Sequence, residues 1–351
     1  MKAARLHKIG DFRIDDVEVP VPQNDQILIK VGACGICGSD LPRVYELGTS
    51  KQKYPLTIGH EFGGEIVAVG QNVDESNIGK KGAIFPCIPC MKCEMCTTGN
   101  YAMCLDYDYL GSRRDGGFAE YCLVPSMWHF VESSKEVSYE SLAMVEPCTV
   151  AQHCLRKSKL SAGNSILIFG AGPIGIMCAR WAKIFGASTI ILIDVNEEKI
   201  KFSQDRDLVC LDGRREDLYE ELLRLNNGKK FDVVVEGVGA GVTLNQCVET
   251  VRTFGTIVMM GNPHQDTTIK LKTHSNILRK ELNIVGMWNS HYHPLPINEW
   301  HYTVEQLETG RMSIDDLVTH SVGIEQVVDI FDDVYNQRMM SSKVLYRSDL
   351  K

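Results

Sequence analysis

Apolar positions divide the chain into two regions of different pattern. Over the first 149 residues they come in short runs broken by frequent turn residues. Gln26–Val31 (QILIKV) is rich in β formers, and Glu61–Val69 opens on paired glycines before apolar and polar positions alternate. A period of two turns one face inward, so this region predicts an irregular β fold. From about residue 150 the runs become continuous: SILIF at 165–169, TIILID at 189–194, FDVVVE at 231–236, TIVMMG at 256–261 and LNIVGM at 282–287. A glycine turn feeding a helix over 170–183 and a second helix over 197–204 lie between the first of them. Strands without a polar face, alternating with helices, predict a parallel sheet covered on both sides, the doubly wound α/β class. The tail predicts a helix over 324–336 and a strand over 342–346. The expected organisation is a β-rich domain over 1–149 that takes back 290–351, with an α/β domain over 150–289 between.

Composition agrees with that division and narrows the class. The 351 residues suggest two domains at about 150 residues each. With 44% apolar and 23% charged residues the chain has the make-up of a soluble globular protein. Lys and Arg number 37 against 45 Asp and Glu, a net charge of −8 with no basic cluster, so no nucleic-acid partner is expected. The longest uncharged stretch, 165–179, is broken by Gly170, Gly172, Pro173 and Gly175 and is too short to span a bilayer. The opening MKAARLHKIG has no apolar core of a secretory leader, which predicts a cytoplasmic protein with reduced thiols. Thirteen cysteines in that setting point first to metal.

The segment Gly170-Ala171-Gly172-Pro173-Ile174-Gly175 follows a predicted strand and opens a predicted helix. In that context G-x-G-x-x-G is a dinucleotide turn. The first glycine permits the tight bend, the second lets backbone approach a pyrophosphate, and the third brings helix against strand. The helix N-terminus then faces the phosphates. Asp194 ends the next strand, where a carboxylate accepts ribose hydroxyls and repels a 2′-phosphate. Val195 and Asn196 follow with no arginine, so the expected cofactor is NAD rather than NADP.

The metal signal is strongest at Cys90-x2-Cys93-x2-Cys96-x7-Cys104. Zinc takes four thiolates in a tetrahedron, and short C-x2-C steps wrap a loop around it. Four protein ligands close the shell, which predicts a structural zinc. Cys87 lies outside the pattern. A second group is dispersed: Cys37 in GICGSD, His60 and Glu61 in GHEFGG, Glu146 in VEPCTV. No spacing rule joins these.

With GHEFGGEIVAVG, the four-cysteine loop and GAGPIG together, the sequence resembles the zinc-dependent medium-chain alcohol and polyol dehydrogenases over nearly its whole length. Glu146 before Pro147, where ordinary alcohol dehydrogenases carry Cys, places the resemblance in the sorbitol and threonine dehydrogenase branch. CGSDLPR (37–43), GSRRDGGFAEY (111–121) and ILRKEL (277–282) are similar to the galactitol-1-phosphate 5-dehydrogenases. The resemblance implies a GroES-like β-rich catalytic domain beside a Rossmann NAD-binding domain. It implies a catalytic zinc on Cys37, His60 and Glu146, with Glu61 beside the metal as a possible alternative ligand. It implies Ser39 as the hydroxyl that takes the alcohol proton outward, and Lys199 as a basic residue flanking the ribose. Pro42 and Arg43 stand where several relatives have the next proton-relaying His, a departure from the pattern. Zinc would polarise the alcohol as a Lewis acid, and the nicotinamide would take the hydride.

A phosphorylated polyol needs a guanidinium partner, and Arg43, assisted by Arg113 or Arg114, is the expected one. The expected reaction oxidises galactitol 1-phosphate to tagatose 6-phosphate. The alternatives are a dehydrogenase of a free polyol or of L-threonine, and a zinc- and NAD-binding protein without catalysis. A metal-free quinone reductase would not need both ligand sets. Relatives imply a homodimer or homotetramer.

Overall fold

The computed structural model describes residues 1–134, 137–263 and 265–350. Two compact units form, Met1–Thr149 with His291–Lys351, and Val150–Ser290.

The first unit is built on a seven-stranded sheet. Ile27–Gly35 sits inside it, paired antiparallel with Glu61–Val69 on one side and with the C-terminal strand Lys343–Arg347 on the other. Ile27, Ile29 and Val31 are fully buried, as is Ile66 opposite them. Phe62, Phe118 and Phe331 close the same apolar core. Two pairings in this sheet decide where chemistry can occur. Gly35 faces Glu61 across one pair of strands and Leu345 across the other. Cys37 follows Gly35 by two residues and His60 precedes Glu61 by one, so both leave the sheet at one end. Glycine at 35 leaves room for two side chains there, since a Cβ would press on the ends of Glu61 and Lys343.

The second unit is a six-stranded, all-parallel sheet. Counted along the chain from Ser165–Phe169, its order is 3-2-1-4-5-6: Cys210–Asp212, Thr189–Asp194, Ser165–Phe169, Phe231–Glu236, Val251–Met259 and Asn283–Gly286. This is the doubly wound order whose reversal point opens a crevice at the strand C-termini. Ile166–Ile168 and Val234–Val235 are fully buried, as strands covered by helices on both faces must be.

The differences from the sequence pattern are local. The strand predicted over 256–261 begins earlier, at Val251, and ends at Met259. Its first half is mostly exposed and mixes Val251 and Phe254 with Arg252 and Thr253, so hydropathy does not mark it. The predicted tail helix is a 3-10 turn at Ile324–Gln326 followed by an α-helix at Val327–Tyr335. Helices at Val145–Ser158, Leu218–Leu225, Gly241–Thr250, Leu271–Arg279 and Glu299–Glu308 were not singled out by pattern. Among the described residues no helix is long and apolar enough to cross a membrane.

Candidate functional site

The four-cysteine loop folds on itself. Cys93 precedes a one-turn helix, Glu94–Thr97, which carries Cys96, and Cys104 follows a 3-10 turn at Tyr101–Met103. The four sulfurs lie within 4.8 Å of one another, with Cys93 Sγ 3.5 Å from Cys96 Sγ and 3.9 Å from Cys104 Sγ. A tetrahedron with metal–sulfur bonds of about 2.3 Å has edges of about 3.8 Å, so the donor set fits zinc. Cys87 is buried with its thiol on the Tyr101 carbonyl, outside the cluster.

At the end of the first unit's sheet, one donor atom each of Cys37, His60 and Glu61 lies within 4.8 Å of the others. Thiolate, imidazole and carboxylate around one point form a zinc-type donor set. His60 and Glu61 are 6% and 1% exposed, so an ion here would sit in a largely dry site. Glu146, expected as the third ligand, is not in this trio. It sits on the first turn of the helix Val145–Ser158, buried, with Tyr109 Oη donating to its Oε1 at 3.4 Å. Burial above all pushes the Glu146 carboxyl up to about 7. His60 opposes that shift and the Glu61 carboxylate adds to it.

Three residues that pattern did not mark complete the surroundings. Asp40, fully buried, accepts the Cys37 backbone N–H at 3.1 Å and lies 3.5 Å from His60 Nδ1, an atom with no hydrogen-bond partner of its own. Burial would raise the Asp40 carboxyl, but His60, Arg43 and the Cys37 N–H together hold it below the usual carboxylate range. Burial would likewise lower His60, yet Asp40 and Cys37 hold it well above its ordinary value. Lys343, 4% exposed, is ion-paired with Glu61 Oε2 and donates to the Ile36 carbonyl at 3.0 Å. Tyr109 is the third. Asp40 had a signal, three residues after Cys37 in CGSD; Lys343 had none.

Ser39 donates to Cys37 Sγ at 3.3 Å and not to its own turn. The three arginines expected at a phosphate have separate partners. Arg43 is bound to Asp40, Arg113 donates to the Tyr107 carbonyl and lies over its ring at 3.9 Å, and Arg114 pairs with Asp108.

In the second unit, a cavity of about 740 Å³ opens at the strand C-termini, lined by Gly170, Gly172, Asp194, Lys199 and Arg214 among others. The helix Pro173–Ile184 starts there with no side-chain cap, leaving first-turn N–H groups for ligand oxygens. Gly175 is forced by packing, since a Cβ would fall 2.0 Å from the Gly170 carbonyl oxygen. Asp194 Oδ2 accepts from Ala171 N at 2.8 Å, and Oδ1 from Val195 N and Asn196 N at 2.8 and 2.9 Å. The acid thus ties the glycine turn to the strand end while facing the cavity. An uncapped helix start, a cradle without side chains and an acid at the rim fit a dinucleotide.

Residues 23–134 match the alcohol dehydrogenase GroES-like domain, and residues 173–309 match the zinc-binding dehydrogenase family. Galactitol 1-phosphate 5-dehydrogenase of Escherichia coli (strain K12) is 32% identical over 347 residues, covering 98% of this chain and 99% of that protein. Sorbitol dehydrogenase of Bacillus subtilis (strain 168) is 33% identical over 336 residues, covering 95% of this chain and 93% of its own. The crystal structure of galactitol-1-phosphate dehydrogenase from Escherichia coli superposes with a TM-score of 0.90 at 31% identity, covering 99% of this chain and all of that one. The chain belongs to the zinc-binding alcohol dehydrogenases, in their polyol dehydrogenase branch, a family of nicotinamide-dependent oxidoreductases.

Proposed function

We propose that the chain oxidises a secondary alcohol of a polyol phosphate to the ketose phosphate with NAD as acceptor, galactitol 1-phosphate to tagatose 6-phosphate in the first instance. The observation that carries the reading is the meeting of Cys37, His60 and Glu61 at one point of a dry site, in a chain that has galactitol 1-phosphate 5-dehydrogenase among its full-length relatives. In this reading Cys37, His60 and Glu146 hold the catalytic zinc. Glu61, already neutralised by Lys343, stands by as an alternative ligand. Cys90, Cys93, Cys96 and Cys104 hold the structural zinc. Zinc, when bound, supplies Lewis acidity to the alcohol oxygen. Asp40, 3.5 Å from His60 Nδ1, is the carboxylate placed to orient the ring, a role carboxylates commonly take for a metal-binding imidazole. Ser39 takes the hydroxyl proton outward, and the carbinol hydrogen leaves as hydride for the nicotinamide. Asp194 and Lys199 receive the adenosine ribose, and Gly170, Gly172, Pro173, Ile174 and Gly175 cradle the pyrophosphate.

Arg43 is assigned to the substrate phosphate through the N–H groups not used on Asp40. Arg43→Ala should raise KM for the phosphorylated polyol about 10- to 100-fold, the worth of a charged hydrogen bond. KM for free sorbitol should hardly move. Equal effects on both substrates would remove the phosphate assignment. The prior arrangement of all three arginines with Asp40, Tyr107 and Asp108 favours a second reading, oxidation of a free polyol. NADH absorbance with a panel of polyols, polyol phosphates and threonine separates the readings directly.

We also infer a homodimer or homotetramer. The outer strand of the parallel sheet, Asn283–Gly286, ends the strand order and exposes Ile284 at 39%; an open apolar edge is a template for a second copy. Sedimentation equilibrium should show a mass of at least two chains, and a monomer at micromolar concentration would exclude this. Cysteine usage supports a cytoplasmic location.

A further inference from the structure

The coenzyme cavity holds an arginine that the reading of Asp194 alone does not use. Strand pairing sets Asp212 beside Asp194, and Gly213 N donates to the Asp194 carbonyl at 2.8 Å. Arg214 is therefore fixed next to the ribose acid, on the cavity wall. Its guanidinium is occupied. Nε donates to Asp212 Oδ1 at 2.9 Å and Nη2 to Oδ2 at 2.7 Å, a parallel fork. Nη2 also reaches Glu197 Oε1 at 3.2 Å. The Arg214 backbone N–H donates to Asp212 Oδ1 at 2.9 Å, so side chain and main chain are gripped by one carboxylate.

Resting on the NAD reading above, we propose that Arg214 is a restrained receiver for a ribose 2′-phosphate, and that Asp212, with Glu197, sets coenzyme choice together with Asp194. A dianionic phosphate needs both a partner and freedom from repulsion. Asp194 supplies the repulsion. Asp212 removes the partner, because the fork that would grip phosphate oxygens bidentately is already spent on a carboxylate of matching geometry. A 2′-hydroxyl asks for neither, so NAD is accepted. Two separate obstacles to one phosphate, Asp194 by repulsion and Asp212 by holding Arg214, predict that removing both does more than either removal implies, because each alone leaves the other obstacle standing. Lys199 lines the same cavity and is the competing cation.

The test is the ratio of dissociation constants for NADPH and NADH, read by the fluorescence of the reduced coenzyme on the full-length zinc-loaded protein. The wild type should favour NADH. Asp194→Ser should lower the ratio, and Asp194→Ser with Asp212→Ala should lower it about 10- to 100-fold further, the worth of one charged hydrogen bond or more. Adding Arg214→Ala should cancel that further gain, while adding Lys199→Ala instead should leave most of it. A double variant no better than Asp194→Ser, or a gain that survives Arg214→Ala, overturns the assignment while leaving the NAD reading intact. A wild type that binds NADPH as tightly as NADH overturns the NAD reading and the restraint together. The side chains of Asp212 and Arg214 are 30 and 53% exposed, so changing them does not disturb the apolar core, and reading a ratio of two coenzymes cancels any common effect of Asp194→Ser on the glycine turn.

Discussion

His60→Ala and Cys37→Ser should each lower polyol oxidation about a thousand-fold or more and release one equivalent of zinc, while NADH binding is largely retained. The size follows from the chemistry at stake. Metal polarisation of the alcohol oxygen is worth several kcal/mol of barrier, and each 1.4 kcal/mol or so is tenfold in rate. Both side chains belong to the trio whose donor atoms lie within 4.8 Å of one another. The cavity assigned to the adenosine ribose and pyrophosphate is lined by residues of the second unit, from Phe169 to Gln246, so most of the coenzyme affinity should survive the change. Zinc content by atomic absorption, turnover by NADH absorbance and coenzyme affinity by fluorescence give three separate readouts. A His60→Ala protein with full zinc content and full activity would remove the assignment.

What was legible in the sequence depended on how far apart the cooperating residues lie. The cysteine loop closes within 15 residues, and its sulfur separations of 3.5–4.0 Å follow from local turns. The glycine turn and Asp194 are joined by consecutive elements, so strand, turn, helix and acid could be read in order. At the dispersed site, Cys37 and His60 were nameable only by resemblance. What unites them is the pairing of Gly35 with Glu61, a register that no local pattern encodes. The same holds for the choice between two glutamates. Glu61 lies within reach of Cys37 and His60 through that strand pairing, while Glu146, the ligand the resemblance implies, comes from a helix 85 residues on and meets Tyr109, so both glutamates reach the neighbourhood only through folding. The arginines illustrate a different limit. Their charge was visible, but the acceptors that engage them, Asp40, the Tyr107 carbonyl and Asp108, are products of folding.

Lys343→Met should destabilise the first unit by about 3–5 kcal/mol, the cost of leaving one member of a buried ion pair without its partner. Lys343 comes from the C-terminal strand, 307 residues from the Ile36 carbonyl that its Nζ reaches at 3.0 Å. Its other contact is Glu61 Oε2, on a side chain only 2% exposed. Burial alone would lower the Lys343 pKa, but the Glu61 and Cys37 charges hold it above the ordinary value, so the ammonium form is the one the site is built around. Methionine fills a similar volume, so the loss reads the charge and not a cavity. Glu61 then stands in the core beside Glu146 with less positive charge to offset two carboxylates. Glu61→Gln added to Lys343→Met removes the orphaned charge and should recover most of the loss, whereas Glu61→Gln alone leaves a buried ammonium and should be destabilising in its own right. Thermal and urea unfolding of the three variants, each with its zinc content measured, closes the cycle. A Lys343→Met protein as stable as the wild type would mean that Glu61 is neutralised by something other than this lysine. A double variant no better than the single one would mean that the lysine acts through the Ile36 carbonyl, holding the strand end that presents Cys37, and not through charge.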